Sequence, residues 1–315
     1  MEYEIHFAPL QGYTDTVYRE THARVFGGVE TYYTPFVRLE KGAFRNKELR
    51  DIAVSDFSLS KVVPQLIASV PEEFRTIATL FYEKGYRRAD INLGCPFPMQ
   101  VRQHRGAGIL PFKKEVTTLL DVISEFPDMR FSIKLRLGWE RVDDAIELIP
   151  LLNQLPLEHI TLHPRLGIRQ YKGKVDMDGF TAFYHLCKHP LFYNGDIENK
   201  KDIQTLLTRF PLLKGVMVGR GLLAHPWLAA EYIEGKNLTD IEKKDKLVTF
   251  HSLLLEGYQS RLEGGEHQIL DKLKTCWDYL LPEADKKLRK KVIKSNNLAS
   301  YTQAVTDLFQ AYPFI

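Results

Sequence analysis

The sequence predicts an α/β protein: a (β/α)8 TIM barrel followed by a small all-helical C-terminal domain. Three observations carry this. Eight short apolar runs recur between residues 5 and 220. The stretches between them place apolar residues at three- and four-residue steps, the period of a helix with one buried face. Beyond Trp227 the strand-like runs stop and only helical periodicity continues. Eight strand-then-helix units match a closed barrel in count and length. The rival is an open doubly wound sheet, which normally carries a glycine-rich dinucleotide turn after its first strand. "APLQGYTD" (8–15) is not such a turn.

In chain order the runs are "IHFAPL" (5–10), "TYYTPF" (31–36), "VVPQLI" (62–67), "ADINLG" (89–94), "FSIKLRL" (131–137), "HITLHPR" (159–165), "LFYNGD" (191–196) and "GVMVGR" (215–220). "PEEFRTIATLFYEKG" (71–85) opens with Pro-Glu, as a helix start does, and "VDDAIELIPLLNQL" (142–155) has the same amphipathic period. The linker "EGKNLTD" (234–240) holds Gly, Asn and an Asp suited to cap the next helix. Helical stretches follow at 244–262, 267–281 and 283–312. The expected domains are therefore a barrel over 1–239 and a helical domain over 240–315.

Among the 315 residues, 44% are hydrophobic and 26% charged, the balance of a globular protein rather than a disordered one. A net charge of +3 permits a nucleic-acid partner without arguing for one, since only clustered charge does that. Cys95, Cys187 and Cys276 form no CxxC pair, so neither a metal site nor a disulfide framework is indicated. The start has no signal-peptide pattern, and no apolar run approaches the roughly 20 residues that span a bilayer. The expected setting is cytoplasmic, with no membrane partner.

A barrel bears its chemistry at the C-terminal ends of its strands. There the sequence places Pro9, Leu10 and Gln11, then Gln65, then Asn92 with Cys95, Lys134 with Arg136, and His163 with Arg165. Asn194, Gly195 and Asp196 follow, and Gly219 with Arg220. Polar groups inside apolar strands are costly without partners. One alone reads as a satisfied core group; a set at successive strand ends reads as a polar ligand held over the mouth. The Gly219-Arg220-Gly221 turn, with "NGDI" (194–197) before it, suits a phosphate. A cofactor with its phosphate there and its ring over Lys134 and His163 suits flavin mononucleotide, FMN. Lys134 near the N1–C2=O edge would stabilise the anionic reduced ring.

"INLGCPFPMQ" (91–100) ends a strand on a thiol pinned between Gly94 and Pro96. A free cysteine is commonly a small buried hydrophobe, and Cys187 and Cys276 keep that reading. A thiol with a pKa of about 8.5 is protonated at neutral pH and can donate. The segment "FPMQVRQHRGAG" (97–108) reads as a mobile lid. "RQYKGK" (169–174), with Arg169, Lys172 and Lys174, and "KKLRKKVIK" (286–294) are candidate phosphate holds, a solvated helix face being the alternative for the second.

Taken in order, "APLQGYTD", "NLGCPFPMQVRQHRGAGIL" (92–110), "KLRLGW" (134–139), "LHPRLGIRQYKG" (162–173), "NGDI" and "VMVGRG" (216–221) resemble the tRNA-dihydrouridine synthases over nearly the whole chain. Size and tail look most like the bacterial C-type subfamily. The resemblance implies flavin contacts at Pro9, Leu10, Gln11, Gln65, Lys134, His163, Asn194, Gly195, Asp196, Gly219 and Arg220, with Cys95 as catalytic acid. It implies reduction of the C5=C6 bond of a D-loop uridine in tRNA. Hydride goes from flavin N5 to C6 and a proton from Cys95 to C5, with NADPH or NADH as transient reductant. Substrate contacts are expected at Asn92, Arg136, Arg165, Arg169, Lys172, Lys286, Lys287, Arg289 and Lys290, in a monomer whose partner is tRNA. Leu10 and Pro164 depart from the family's usual methionine and glycine. The alternatives are a barrel flavoprotein acting on a free pyrimidine, as a dihydroorotate dehydrogenase does, and a non-catalytic tRNA-binding protein.

Overall fold

Each of the eight apolar runs is a strand in a computed structural model of the chain, which describes residues 3–313. The outermost residues of both expected domains, 1–2 and 314–315, lie outside the described residues. The strands are β1 (Glu4–Phe7), β2 (Thr31–Tyr33), β3 (Val62–Val63 and Gln65–Leu66), β4 (Arg88–Leu93), β5 (Arg130–Arg136), β6 (Leu157–His163), β7 (Leu191–Asn194) and β8 (Gly215–Val218). β3 is in two pieces because Pro64 has no N–H to give a ladder. Its first piece pairs with β2 and its second with β4. The change of partner at Pro64 closes the ring, which runs β3–β2–β1–β8–β7–β6–β5–β4–β3, all parallel. The Pro64 carbonyl still accepts from the Asp90 N–H at 2.9 Å.

Strands covered on both faces read as continuous apolar runs, which is why all eight were legible. The barrel interior is nevertheless polar in layers. Toward the N-terminal end, the Tyr33 hydroxyl lies 3.1 Å from His6 Nδ1 and 3.0 Å from His159 Nε2. Burial pushes the pKa of both imidazoles down, so they are held neutral. Asp90, Ser132 and His159 stand in register across β4, β5 and β6. Two residues further up the same strands stand Asn92, Lys134 and Thr161.

The helix Pro71–Glu83 forms as expected, with Glu72 and Glu73 in its first turn and Phe74, Ile77, Ala78 and Phe81 buried. The stretch 142–155 does not form one helix. It breaks into Asp143–Ile146 and Ile149–Leu152 because Pro150 lacks an N–H and its ring collides with the Ile146 carbonyl of a continued helix. The C-terminal region is helical: Asp240–Arg261, Gly265–Thr275, Lys286–Lys294 and Leu298–Gln310. Thr239, not Asp240, caps the first of these, in a capping box with Glu242.

Two compact units result. One comprises residues 1–9, 30–196 and 203–219 and contains every barrel strand. The other comprises 10–29, 197–202 and 220–315. It therefore adds the helices Thr16–Val25 and Arg220–Ala224 to the C-terminal helices, rather than following one cut at 239/240. Within it, Lys272 pairs with Asp15 at 2.7 Å and Trp277 donates its indole N–H to the Tyr301 hydroxyl at 2.9 Å.

Candidate active site

The turn after β4 is held from three sides. Asn92 Oδ1 accepts the N–H groups of Gly94 (3.0 Å) and Cys95 (2.8 Å). Asn92 Nδ2 donates to Gln65 Oε1 at 2.8 Å, and Gln65 Nε2 to Asp90 Oδ2 at 2.6 Å. The Cys95 carbonyl accepts from the Ala107 N–H at 3.0 Å. Gly106, at φ +61°, makes that approach possible: a Cβ there would sit 2.6 Å from the Cys95 carbonyl oxygen. Arg105 is buried and ion-paired with Glu73. The expected lid over 97–108 is thus corrected. Its second half is packed against the Cys95 turn and Gln100 is buried, so exposure is confined to 97–99, with Phe97 55% and Met99 54% exposed, and to 102–103.

Burial raises the pKa of the Cys95 thiol, against the pull of the Phe97 main chain and the charges of Arg136, Lys134 and Arg38. The group is a protonated donor at neutral pH. Lys134 shares the mouth. Burial, with the Arg136 charge next, lowers its pKa to about 8, which leaves it an ammonium at pH 7. It has no hydrogen-bond partner among the described residues, and in register with it the buried Thr161 hydroxyl has none either. A half-buried cation and a buried hydroxyl without partners are costly in a finished core. Both fit a ligand offering hydrogen-bond acceptors.

The two expected substrate arginines are placed differently. Arg136 is 2% exposed and donates to the carbonyls of Gly94 (3.0 Å), Leu166 (3.2 Å) and Gln170 (2.5 Å). It ties the Cys95 turn to the loop after β6. Arg165, also buried, pairs with Asp196, donates to the Gly173 carbonyl at 2.7 Å and lies 3.2 Å from His163 Nε2. A buried guanidinium must find acceptors for its N–H groups, and here the loops supply them. The Asp196 carboxylate, expected at the cofactor, is thereby held by Arg165. Asn194 Nδ2 donates to the Met217 carbonyl at 2.8 Å, and Gly195 turns at φ +148° beside His163.

Tyr171 was missed: only the cations around it in "RQYKGK" were singled out. It is half exposed, with its ring 6.4 Å from that of His163 and 5.3 Å from the Arg136 guanidinium. An aromatic face at a polar mouth can stack a base. Arg169, Lys172 and Lys174 on the same loop are exposed and have no acidic partner among the described residues.

In the second unit, Leu10 is turned inward on its own loop. Its N–H donates to Thr14 Oγ1 at 2.9 Å and its carbonyl accepts from the Tyr13 N–H at 3.0 Å. Gln11 is exposed and Arg220 begins the helix Arg220–Ala224. On the helix Lys286–Lys294, Lys286, Lys287, Lys290 and Lys291 are exposed. Arg289 is not like them: it donates to the carbonyls of Trp277 and Leu281. Burial pushes the Cys276 thiol up to about 12, consistent with its reading as a packed residue.

The family model described as Dihydrouridine synthase (Dus) matches residues 6–311. The chain belongs to this family. Curated relatives of the dihydrouridine synthase family include "tRNA-dihydrouridine synthase B" of Klebsiella pneumoniae, 24% identical over 82% of this chain and 81% of the relative. A second is "Probable tRNA-dihydrouridine synthase" of Helicobacter pylori, 26% identical over 81% of this chain and 77% of the relative. Among solved structures, "Morphinone reductase" is similar with a TM-score of 0.55 at 13% identity, covering 75% of this chain and 87% of that one. The old yellow enzyme from Trypanosoma cruzi is similar with a TM-score of 0.51 at 10% identity, over 75% and 89%. These two likenesses establish the barrel fold. Membership of the dihydrouridine synthase family makes the chain an oxidoreductase. No helix among the described residues is long and apolar enough to cross a membrane.

Proposed function

We propose that the chain is a tRNA-dihydrouridine synthase that reduces uridine in tRNA with FMN and NADPH or NADH, as a cytoplasmic monomer. One observation carries the reading: a protonated thiol, fixed at the barrel mouth by Asn92, shares that mouth with the ammonium of Lys134, which has no hydrogen-bond partner among the described residues. Lys134 and the Thr161 hydroxyl fit the acceptor-rich edge of a flavin. Pro9, Gln65, His163, Asn194, Gly195, the Asp196 main chain and Gly219 would complete its hold; Leu10, Gln11 and Arg220 keep the assignment that the sequence resemblance gives them. Bound there, the flavin supplies the hydride for C6 of the uracil.

The chain's own residues do the rest. Cys95 gives its proton to C5, and the charges of Arg136 and Lys134 then steady the thiolate. Asn92 holds the turn so that the thiol stays aimed, and Tyr171 offers a face for the extruded base. Arg169, Lys172 and the exposed lysines of Lys286–Lys294, in the helical region 240–315, hold phosphates. The names of the curated relatives support the tRNA substrate. The test is direct: purified protein with NADPH and tRNA lacking dihydrouridine should form dihydrouridine. Oxidation of a free dihydropyrimidine, with tRNA unchanged, would instead make it an enzyme of free pyrimidines.

A further inference from the structure

Asp90 lies two residues below Asn92 on β4, fully buried and in register with Ser132. Its oxygens accept from Ser132 Oγ and from Gln65 Nε2, each at 2.6 Å. From Gln65 the bonds run up through Asn92 to the N–H groups of Gly94 and Cys95. Their direction is dictated from the top. Backbone N–H groups only donate, so Asn92 must turn its oxygen to the Cys95 turn and its NH₂ to Gln65. Gln65 must then turn its oxygen to Asn92 and its NH₂ to position 90. Only an acceptor at position 90 completes the chain. A flip of either amide sets two donors or two acceptors face to face and leaves buried polar groups unpaired.

We propose that Asp90 is a positioning residue for the proton transfer: as the acceptor at the foot of this chain, it fixes Gln65 and Asn92 and thereby the aim of the Cys95 turn. The inference rests on Cys95 being the proton donor. It needs an acceptor at position 90 and not a charge. Burial raises the Asp90 pKa to about 7, against its bonds to Ser132 and Gln65 and the charges of Lys134 and Arg88. The protonated acid keeps one carbonyl oxygen for Gln65 and turns its O–H to Ser132 Oγ. Asparagine has the same shape and can do the same with its NH₂.

The experiment compares Asp90→Asn and Asp90→Ala in the full flavin-loaded chain. It reads amide hydrogen exchange at Gly94 and Cys95, flavin reduction by NADPH, and reoxidation of the reduced flavin by tRNA. Asp90→Ala should exchange both amides at least ~10-fold faster and slow reoxidation by about 10–100-fold, the weight of a small misplacement. Its reduction by NADPH should slow less than its reoxidation by tRNA, because Gln65, which loses its acceptor, also lines the flavin site while only the second step uses the Cys95 turn. Asp90→Asn should stay near wild type on all three. Wild-type reoxidation with protected amides in Asp90→Ala overturns the inference, and so does an Asp90→Asn variant as slow as alanine. If the alanine variant fails to fold or keep flavin, Asp90→Asn decides alone: within about threefold supports the inference, and a loss beyond about tenfold overturns it. Cys95→Ala in parallel separates the two levels. Wild-type reoxidation in Cys95→Ala removes the proton-donor reading itself; slow Cys95→Ala beside unaffected Asp90→Ala removes only the role of Asp90.

Discussion

At the barrel mouth and one layer beneath it, Arg136, Arg165 and Asp90 are buried and each is bonded to named neighbours. Along the helix Lys286–Lys294, five lysines stand in solvent. Both regions gather charge, but water screens the second and not the first. An exposed charge contributes tenths of a kcal/mol and acts additively on a distant partner. A buried one strands its partner when removed. The mouth should therefore fail at single substitutions, and the helix only by degrees. Arg289 tests the distinction inside one helix, because it alone is turned in on the carbonyls of Trp277 and Leu281.

The largest expected effect is a pH dependence. The Asp90 pKa of about 7 lies above its ordinary 3.8. The folded state thus holds a proton that the unfolded chain has released, and this stability is full below pH ~4 and lost as pH rises through about 7. Asp90→Asn, which never ionises, should match wild type near pH 4 and exceed it by up to about 4 kcal/mol at pH 8 in urea unfolding. A pH-independent difference would show that the carboxyl does not titrate on folding. Next, Gly106→Val should cost about 3 kcal/mol through a forbidden φ and collision with the Cys95 carbonyl. A variant as stable as wild type would show that the turn can yield there.

Arg165→Met should cost about 2 kcal/mol, less than a fully buried pair because Asp196 is 34% exposed. Adding Asp196→Asn should recover part of that loss in the same unfolding measurement. Arg289→Gln should cost about 1 kcal/mol while Lys290→Gln changes stability by less than ~0.5 kcal/mol. Equal costs would erase the difference between the two positions. Replacing Lys286, Lys287, Lys290 and Lys291 with Gln should leave stability unchanged. The log–log salt slope of tRNA binding should fall by about one unit per lost phosphate contact. An unaltered slope would make the helix an ordinary solvated face.

The fold was legible because a parallel barrel buries both faces of its strands, so each strand announces itself as an apolar run. Prolines were visible but their consequences were not. Pro64 shifts β3 from one neighbour to the next, and Pro150 divides a helix whose apolar period runs straight through it. The cap moved by one residue because Thr239 and Asp240 both carry a suitable side-chain oxygen. At the site, residues at strand ends were found by looking there, and Asp90 was passed over because it sits below them. Arg136 and Arg165 read as substrate contacts because a sequence shows charge and not the carbonyls around it. Tyr171 stood in plain view within "RQYKGK", where only the cations drew notice.

Everything proposed for the mouth turns on Cys95 giving the proton. Rapid mixing tests it: the flavin of Cys95→Ala is reduced anaerobically, tRNA is added, and the return of the oxidised spectrum is followed. Folding, flavin retention and reduction by NADPH should match wild type, and reoxidation by tRNA should slow by about 10²–10⁴-fold, the weight of one positioned acid. Reoxidation at the wild-type rate would contradict the account.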